Sequence, residues 1–448
     1  MSPFLFDEFN PVTPTAWKQK IQVDLKGADY NETLLWHTNE GIAVKPFYTK
    51  EDRTNININN AKEDFKVCQS IFIDDVKIAN SLAIDAIKRG ANAIHFKASK
   101  SFEPKPLLKN FPGDTSLYFQ LSFLDADFTN QLAAFCHDKN TFIQTDIIGN
   151  LAETGNWFIN LKEDHSQLEK IVLSANNCLS VSADLYQNAG ATMVQQLAYA
   201  LAHANEYLNH FGSEIAKKMH FKFAVGSNYF FEIAKLRAFR MLWSSLLEQY
   251  GVENATAHLF VKPTLRNKTI YDYNVNMLRT TSECMSAVLG GANTVCNVSY
   301  DAIYHKSNEF GERISRNQLL ILKEESYFTN AQHFADGAYY IDEITTQLAE
   351  KALEVFKTIE KGGGFLNQLK AGTIQQKITE SAAKEQQQFN SKETVLLGTN
   401  LQPNTNDKMK DNLELYPFVK QRHIKTLIIP IIRKRLAEDL EKERLENE

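Results

Sequence analysis

The chain has little cysteine. Five residues, Cys68, Cys136, Cys178, Cys284 and Cys296, are spread over 448 positions. The number is odd, the spacing is wide and no C-x-x-C occurs. That excludes a disulfide-stapled secreted scaffold and fits reduced thiols in the cytoplasm. Long apolar runs are also missing. The stretch 426–432 is among the longest and falls far short of the ~20 residues of a spanning helix. The opening segment MSPFLFDEF has no basic region followed by an apolar one, so no secretory signal is visible. Neither sign of charge is in large excess: 49 Lys and Arg against 54 Asp and Glu give a net −5. Nothing in that balance calls for a nucleic acid or an anionic membrane as partner. G-x-S-x-G, the P-loop, the kinase signatures and H-E-x-x-H are absent, and none of the eleven histidines forms H-x-x-x-H. His203 and His210 lie two helical turns apart, too far to share one metal, so no metal site is expected.

What is present is alternation. Short β-branched or aromatic runs occur at 66–73, 91–97, 116–123, 141–147, 178–183, 219–225, 255–261 and 293–298. Segments with helical spacing separate them, notably 76–89, 191–210, 229–250 and 274–289. Eight strand–helix units over residues 66–336 match the ~250 residues usual for a (β/α)8 barrel. A doubly wound sheet is the rival. Its glycine-rich phosphate turn is missing, however, and Asp74 and Asp75 follow the first strand instead. Gly362, Gly363 and Gly364 follow a helix and read as its cap.

Gln144 and Asp146 fall at the carboxyl end of the fourth strand and Asp184 just past the fifth. Barrel active sites are built at that face. Polar residues also occur there simply because strands end at solvent. No neighbouring histidine completes an acid–base pair, and the residues by themselves leave both readings open.

Several segments carry a resemblance. Residues 36–49 (WHTNEGIAVKPFYT), 180–192 (SVSADLYQNAGAT), 228–243 (NYFFEIAKLRAFRMLW), 272–292 (DYNVNMLRTTSECMSAVLGGA), 313–317 (RISRN) and 336–340 (DGAYY) resemble, in order, motifs of the adenosylcobalamin-dependent methylmalonyl-CoA mutase family. The resemblance implies a (β/α)8 barrel whose active members open along the axis to take the CoA pantetheine. It also implies a following cobalamin domain. The departures are specific. Where that family's catalytic members carry Tyr-His after the fifth strand, this chain has Asp184 and Leu185. A leucine cannot donate a hydrogen bond to a thioester carbonyl. The family's R-P-W-T-I-R-Q-Y-A-G segment and its cobalt-ligating D-x-H-x-x-G are not found, and residues 264–271 do not match its Q-T-S-G-W-S-L-T loop. Gln144 and Gln187 are retained as residual substrate-pocket matches.

The family includes heterodimers in which a homologous small subunit supports a catalytic large one. This chain resembles the small subunit, without its second, cobalamin-like domain. The expected organisation is an extended arm at 1–65, the barrel at 66–365, and a polar linker with a C-terminal helix at 366–448, the helix running from 424 to 448. The resemblance implies no catalytic residue and no cofactor bound by this chain, adenosylcobalamin being held by a large catalytic partner. The expected complex is cytoplasmic and converts methylmalonyl-CoA to succinyl-CoA. Two alternatives are an active barrel that borrows a cobalamin domain from a separate chain, and a stand-alone acyl-CoA-binding or scaffold homodimer. Phe4, Phe6, Phe9 and Trp17 are the expected partner interface, since aromatic density on a segment too short to bury its own core needs a surface to cover. Phe72, Phe96, Phe119, Phe142, Phe221 and Phe223 crowd the strands, and large side chains are expected to fill part of the lumen. Strand alternation alone does not say which of them face inward.

Overall fold

Eight strands follow one another in the order the alternation predicts: β1 (Lys66–Phe72), β2 (Ala93–Ala98), β3 (Ser116–Leu121), β4 (Thr141–Ile143), β5 (Leu179–Ser182), β6 (Met219–Val225), β7 (Leu259–Pro263) and β8 (Thr294–Cys296). The structure, a computed structural model, describes residues 6, 8–53, 56, 58–60, 63–253, 256–420 and 424–448. Consecutive strands pair in parallel from β1 to β4 and from β5 to β8, and β8 pairs with β1. A parallel bridge between Thr145 and Leu179 joins β4 to β5 and closes the (β/α)8 barrel. Its helices include α1 (Pro14–Asp24) in the arm, then α2 (Val76–Lys88), α3 (Met193–Phe211), α4 (Tyr229–Gln249), α5 (Val275–Leu289), α6 (Tyr339–Lys361) and α7 (Glu438–Glu446).

Local chemistry sets the boundaries. Asp75 accepts from the backbone of Lys77 and Ile78 and so caps α2; the acidic pair after β1 is a helix start. The fourth strand stops at Ile143, four residues earlier than its apolar pattern, because Asp146 caps the helix Ile147–Thr154. α6 ends at the glycine triplet, where Gly363 and Gly364 take positive φ and Gly364 N–H donates to Ile359.

Two apolar layers form on either side of the strands. Outside, Phe96 and Phe119 stack at 5.6 Å, and Phe221 and Phe223 pack edge-on against Phe239 of α4. Of the six phenylalanines that crowd the strands, four therefore face the helices. Phe72 stands at the carboxyl mouth, 56% exposed, and only Phe142 fills the interior. The lumen is nonetheless packed. The Tyr118 ring on β3 stacks on Phe142 at 4.8 Å and touches Phe260 on β7 at 4.7 Å. Strands three and seven lie opposite each other in an eight-stranded barrel, so this contact spans the lumen. His258 stacks on Phe142 at 4.1 Å, and the Tyr118 hydroxyl lies 2.9 Å from His258 Nε2 and 2.7 Å from Thr294 Oγ1. Below this plug, at the amino end of the barrel, is a pocket of about 300 Å³ bordered by Asn60, Lys66 and His258.

The segment after α6 forms two helices, Phe365–Lys370 and Thr373–Asn390. The tail differs from a continuous helix. Only α7 is helical, and residues 424–436 run extended across the carboxyl rim. Ile431 N–H donates to Ala152, Lys434 to Asn188 and Leu436 to Arg266, so the rim replaces the hydrogen bonds a helix would make internally. In the arm, α1 buries none of its residues, and Phe6, Phe9 and Trp17 are 72%, 66% and 51% exposed. Phe4 lies outside the described residues.

The plug gives a stability prediction. Phe260→Ala should cost ~3–5 kcal/mol through lost burial and the cavity left behind. Tyr118→Phe should cost about 1–3 kcal/mol by leaving buried Thr294 and half-buried His258 without the hydroxyl they share. Urea unfolding midpoints check both; a loss under about 1 kcal/mol for Phe260→Ala would show that the lumen relaxes around the gap.

Candidate functional site

The carboxyl ends of the strands place the candidate residues. His95 on β2 and Gln144 after β4 both face the lumen, and His95 Nε2 donates to Gln144 Oε1 at 3.1 Å. The other ring nitrogen, Nδ1, lies 3.2 Å from the Ser70 hydroxyl. Burial, with Lys262, Lys97 and Lys222 close by, holds His95 well below its usual range, so the ring is neutral. It therefore accepts from Ser70 and donates to Gln144.

Asp146 is structural. Its Oδ1 accepts from His203 Nε2 at 3.0 Å, the Tyr207 hydroxyl at 2.8 Å and Gly149 N–H at 2.7 Å, and its Oδ2 accepts from Ser182 N–H at 2.8 Å. Tyr186 completes the chain at 2.9 Å from His203 Nδ1. Burial opposes the charge, but His203 and the backbone donors outweigh it and bring the carboxyl down to about 2. His203 is thus fully engaged, and His210 pairs with Glu169.

Asp184 and Leu185 open a short helix, Asp184–Asn188, whose five residues are all buried. Asp184 forms ion pairs with Arg433 of the extended tail at 2.9 Å and with Lys222 at 3.5 Å. Burial alone would raise its carboxyl; Lys222 and Arg433 reverse that and lower it. Leu185 is 1% exposed and part of the main core. Gln187 does not meet Gln144 at a common site. It donates to Glu232 Oε1 at 2.9 Å and accepts from Lys235 Nζ at 2.9 Å. Lys235 also donates to Gln196 and to the Ala224 carbonyl, and pairs with Glu232 at 2.5 Å. The Glu232…Lys235 motif of α4 therefore clamps that helix onto β6, and a cavity of about 180 Å³ lies beside it, bordered by Gln187, Glu232 and Arg266.

Lys97, Lys222 and Lys262 are further polar residues on the lumen face, outside the motifs that carry the resemblance. A signal was there: His-Phe-Lys occurs at 95–97 and again at 220–222, and in a strand the first and third residues share a face. Among the described residues, no three His, Cys, Asp or Glu side chains are grouped to hold a metal ion.

Comparison with known proteins adds a family. A sequence profile described as methylmalonyl-CoA mutase matches residues 131–446. The methylmalonyl-CoA mutase small subunit of Porphyromonas gingivalis (strain ATCC BAA-308 / W83) is 32% identical, with 92% of this chain and 73% of that protein covered. The methylmalonyl-CoA mutase of Rhizobium meliloti (strain 1021) is 28% identical over 89% of this chain and 65% of its own length. The methylmalonyl-CoA mutase large subunit of Propionibacterium freudenreichii subsp. shermanii is 33% identical over half of this chain and 32% of its own.

Asp146 yields the prediction of this site. Its folded acidity lies below the ~3.9 of an unfolded aspartate, so its contribution is complete above about pH 4 and is lost as pH falls through about 2. Asp146→Asn should cost ~2–4 kcal/mol at pH 7, because it leaves buried donors around an uncharged amide. The deficit should shrink as the unfolding measurement is carried from pH 5 toward pH 2. A deficit independent of pH would assign the loss to packing.

Proposed function

The chain belongs to the methylmalonyl-CoA mutase family, an isomerase family, and from that premise we propose that it is the non-catalytic small subunit of such an enzyme. Its role in this reading is to support a large catalytic chain that binds adenosylcobalamin and converts methylmalonyl-CoA to succinyl-CoA in the cytoplasm. The observation that carries the proposal is the contact of Tyr118 with Phe260 across the lumen, where an active barrel of this family opens for pantetheine. Leu185 supports it further: the position that would present a polar group to a thioester is an aliphatic side chain buried in the core. Adenosylcobalamin does not fit these residues. Leu185 offers the cofactor no polar contact, and Asp184 beside it is committed to Arg433 and Lys222. Among the described residues, no helix is long and apolar enough to cross a membrane.

The partner surface in this reading is the arm. α1 carries exposed Trp17 and Val23, and Trp17 meets Phe47 edge-on at 6.4 Å, beside a groove that includes Val12 and Lys50. Aromatic side chains of this kind are enriched in the cores of interfaces. The test is co-expression with a full-length mutase large chain, followed by size-exclusion chromatography. The two should co-elute in equal amounts. Deletion of residues 1–30 should keep the circular dichroism of the barrel and abolish co-elution. Separate elution of the full chain would overturn the subunit reading; binding retained by the shortened chain would overturn the arm as the interface.

A further inference from the structure

Three lysines occupy equivalent places at the carboxyl mouth of the barrel. Lys97 follows inward-facing His95 by two residues, Lys222 follows His220, and Lys262 follows Phe260, so all three continue the lumen face. Lys222 pairs with Asp184 at 3.5 Å. Among the described residues, neither the Lys97 nor the Lys262 ammonium forms an ion pair or hydrogen bond. His95 and Phe260 touch at 5.0 Å, so the lysines two residues beyond each lie over the same stretch of lumen, and both act on His95. Lys262 is the chief reason that the Lys97 ammonium is brought down to about 7, burial being second. The Glu312 carboxylate acts on both lysines, but it accepts from Ser307 at 3.1 Å and pairs with neither.

Below the lysines, several lumen-facing polar groups lack partners, His220 among them at the edge of the plug, 5.5 Å from the Phe142 ring. Gln144 Nε2, Ser180 Oγ and both ring nitrogens of His220 are buried and make no hydrogen bond. They belong to three consecutive strand positions, β4 to β6, and Gln144 is held in place through its oxygen by His95. A buried donor without an acceptor is unfavourable, so the Gln144 amide calls for an acceptor in the space it faces. The aromatic plug closes the lumen beneath them.

The geometry points to a binding site for a small doubly charged oxyanion in the upper half of the barrel, with Lys97 and Lys262 pairing its charge and the Gln144 amide donating to one oxygen. Lysine ammonium groups suit such a ligand as point charges with rotatable donors. Phosphate and a short dicarboxylate share this chemistry, and both are small enough to enter from the mouth without the axial route that a CoA thioester uses. The inference stands apart from the subunit reading, since it concerns only this chain's own lumen.

Isothermal titration of the full-length protein with inorganic phosphate, and separately with oxalate, at constant ionic strength tests it. At least one anion should bind saturably at one site per chain, and the pair of results tells which source the site prefers. Lys97→Met with Lys262→Met should weaken binding at least tenfold, with far-UV circular dichroism unchanged. Lys217→Met, on an exposed lysine paired with Glu214, should have no effect. If the double variant fails to fold, Gln144→Leu supplies the reading and should weaken binding several-fold. Saturable heat with neither anion, or affinities that these substitutions leave unchanged, would overturn the site.

Discussion

The Tyr118 ring lies against Phe260 across the barrel, and the rest of the molecule is arranged around that contact. It joins strands that share no hydrogen bonds, and it turns a tube that could hold a ligand into a packed core. His258, Phe142 and Thr294 are held by the same side chain through stacking and hydrogen bonds. A barrel filled in this way derives stability from its own interior, at ~25 cal/mol per Å² of apolar surface removed from water. The carboxyl half is different in kind: polar, positively charged and roofed over part of its rim by the tail. One end of the lumen is spent on cohesion and the other remains chemically addressable.

Charges buried outside the lumen serve the same cohesion. Glu232 and Lys235 fasten α4 to β6, and Lys268, in the segment after β7, pairs with Glu283 of α5 at 2.8 Å. Arg240 donates to the carbonyls of Ala257 and Gly291 and thereby ties α4 to the amino ends of β7 and β8. Removing one partner of such a pair leaves an uncompensated charge, so these contacts are hard to lose singly. They also explain why family motifs can persist in a chain whose lumen is filled. E-I-A-K-L-R-A resembles the family because it builds the barrel wall, and that requirement does not depend on substrate.

Much of this architecture was legible in the residues. The eight strands and the long helices follow from apolar periodicity, because each element buries one face. The orientation of the phenylalanines was not. A parallel strand covered on both sides is apolar on both faces, so alternation carries no sign for inward or outward. Phe96 and Phe221 went to the helices, while the lumen was filled by Tyr118, Phe142 and Phe260. Asp146 was legible as a polar residue at a strand end, but not as the acceptor of four hydrogen bonds, since Tyr207 and His203 lie some sixty positions away. Leu185 was legible as a departure from the family motif, and the structure places it in the core. The extended course of 424–436 was hidden because its hydrogen-bond partners belong to distant rim residues.

The account rests on the filled lumen, and CoA thioester binding tests it most directly. Equilibrium dialysis of the purified chain against methylmalonyl-CoA, with free CoA in a parallel cell, reads that property without requiring turnover. A closed barrel predicts equal ligand on both sides of the membrane at ligand concentrations up to about 1 mM, near the upper end of ordinary enzyme KM values. Retention of one thioester per chain, lost in a variant that enlarges Phe142 or Ala93 in the lumen, would show an open axial path and contradict it.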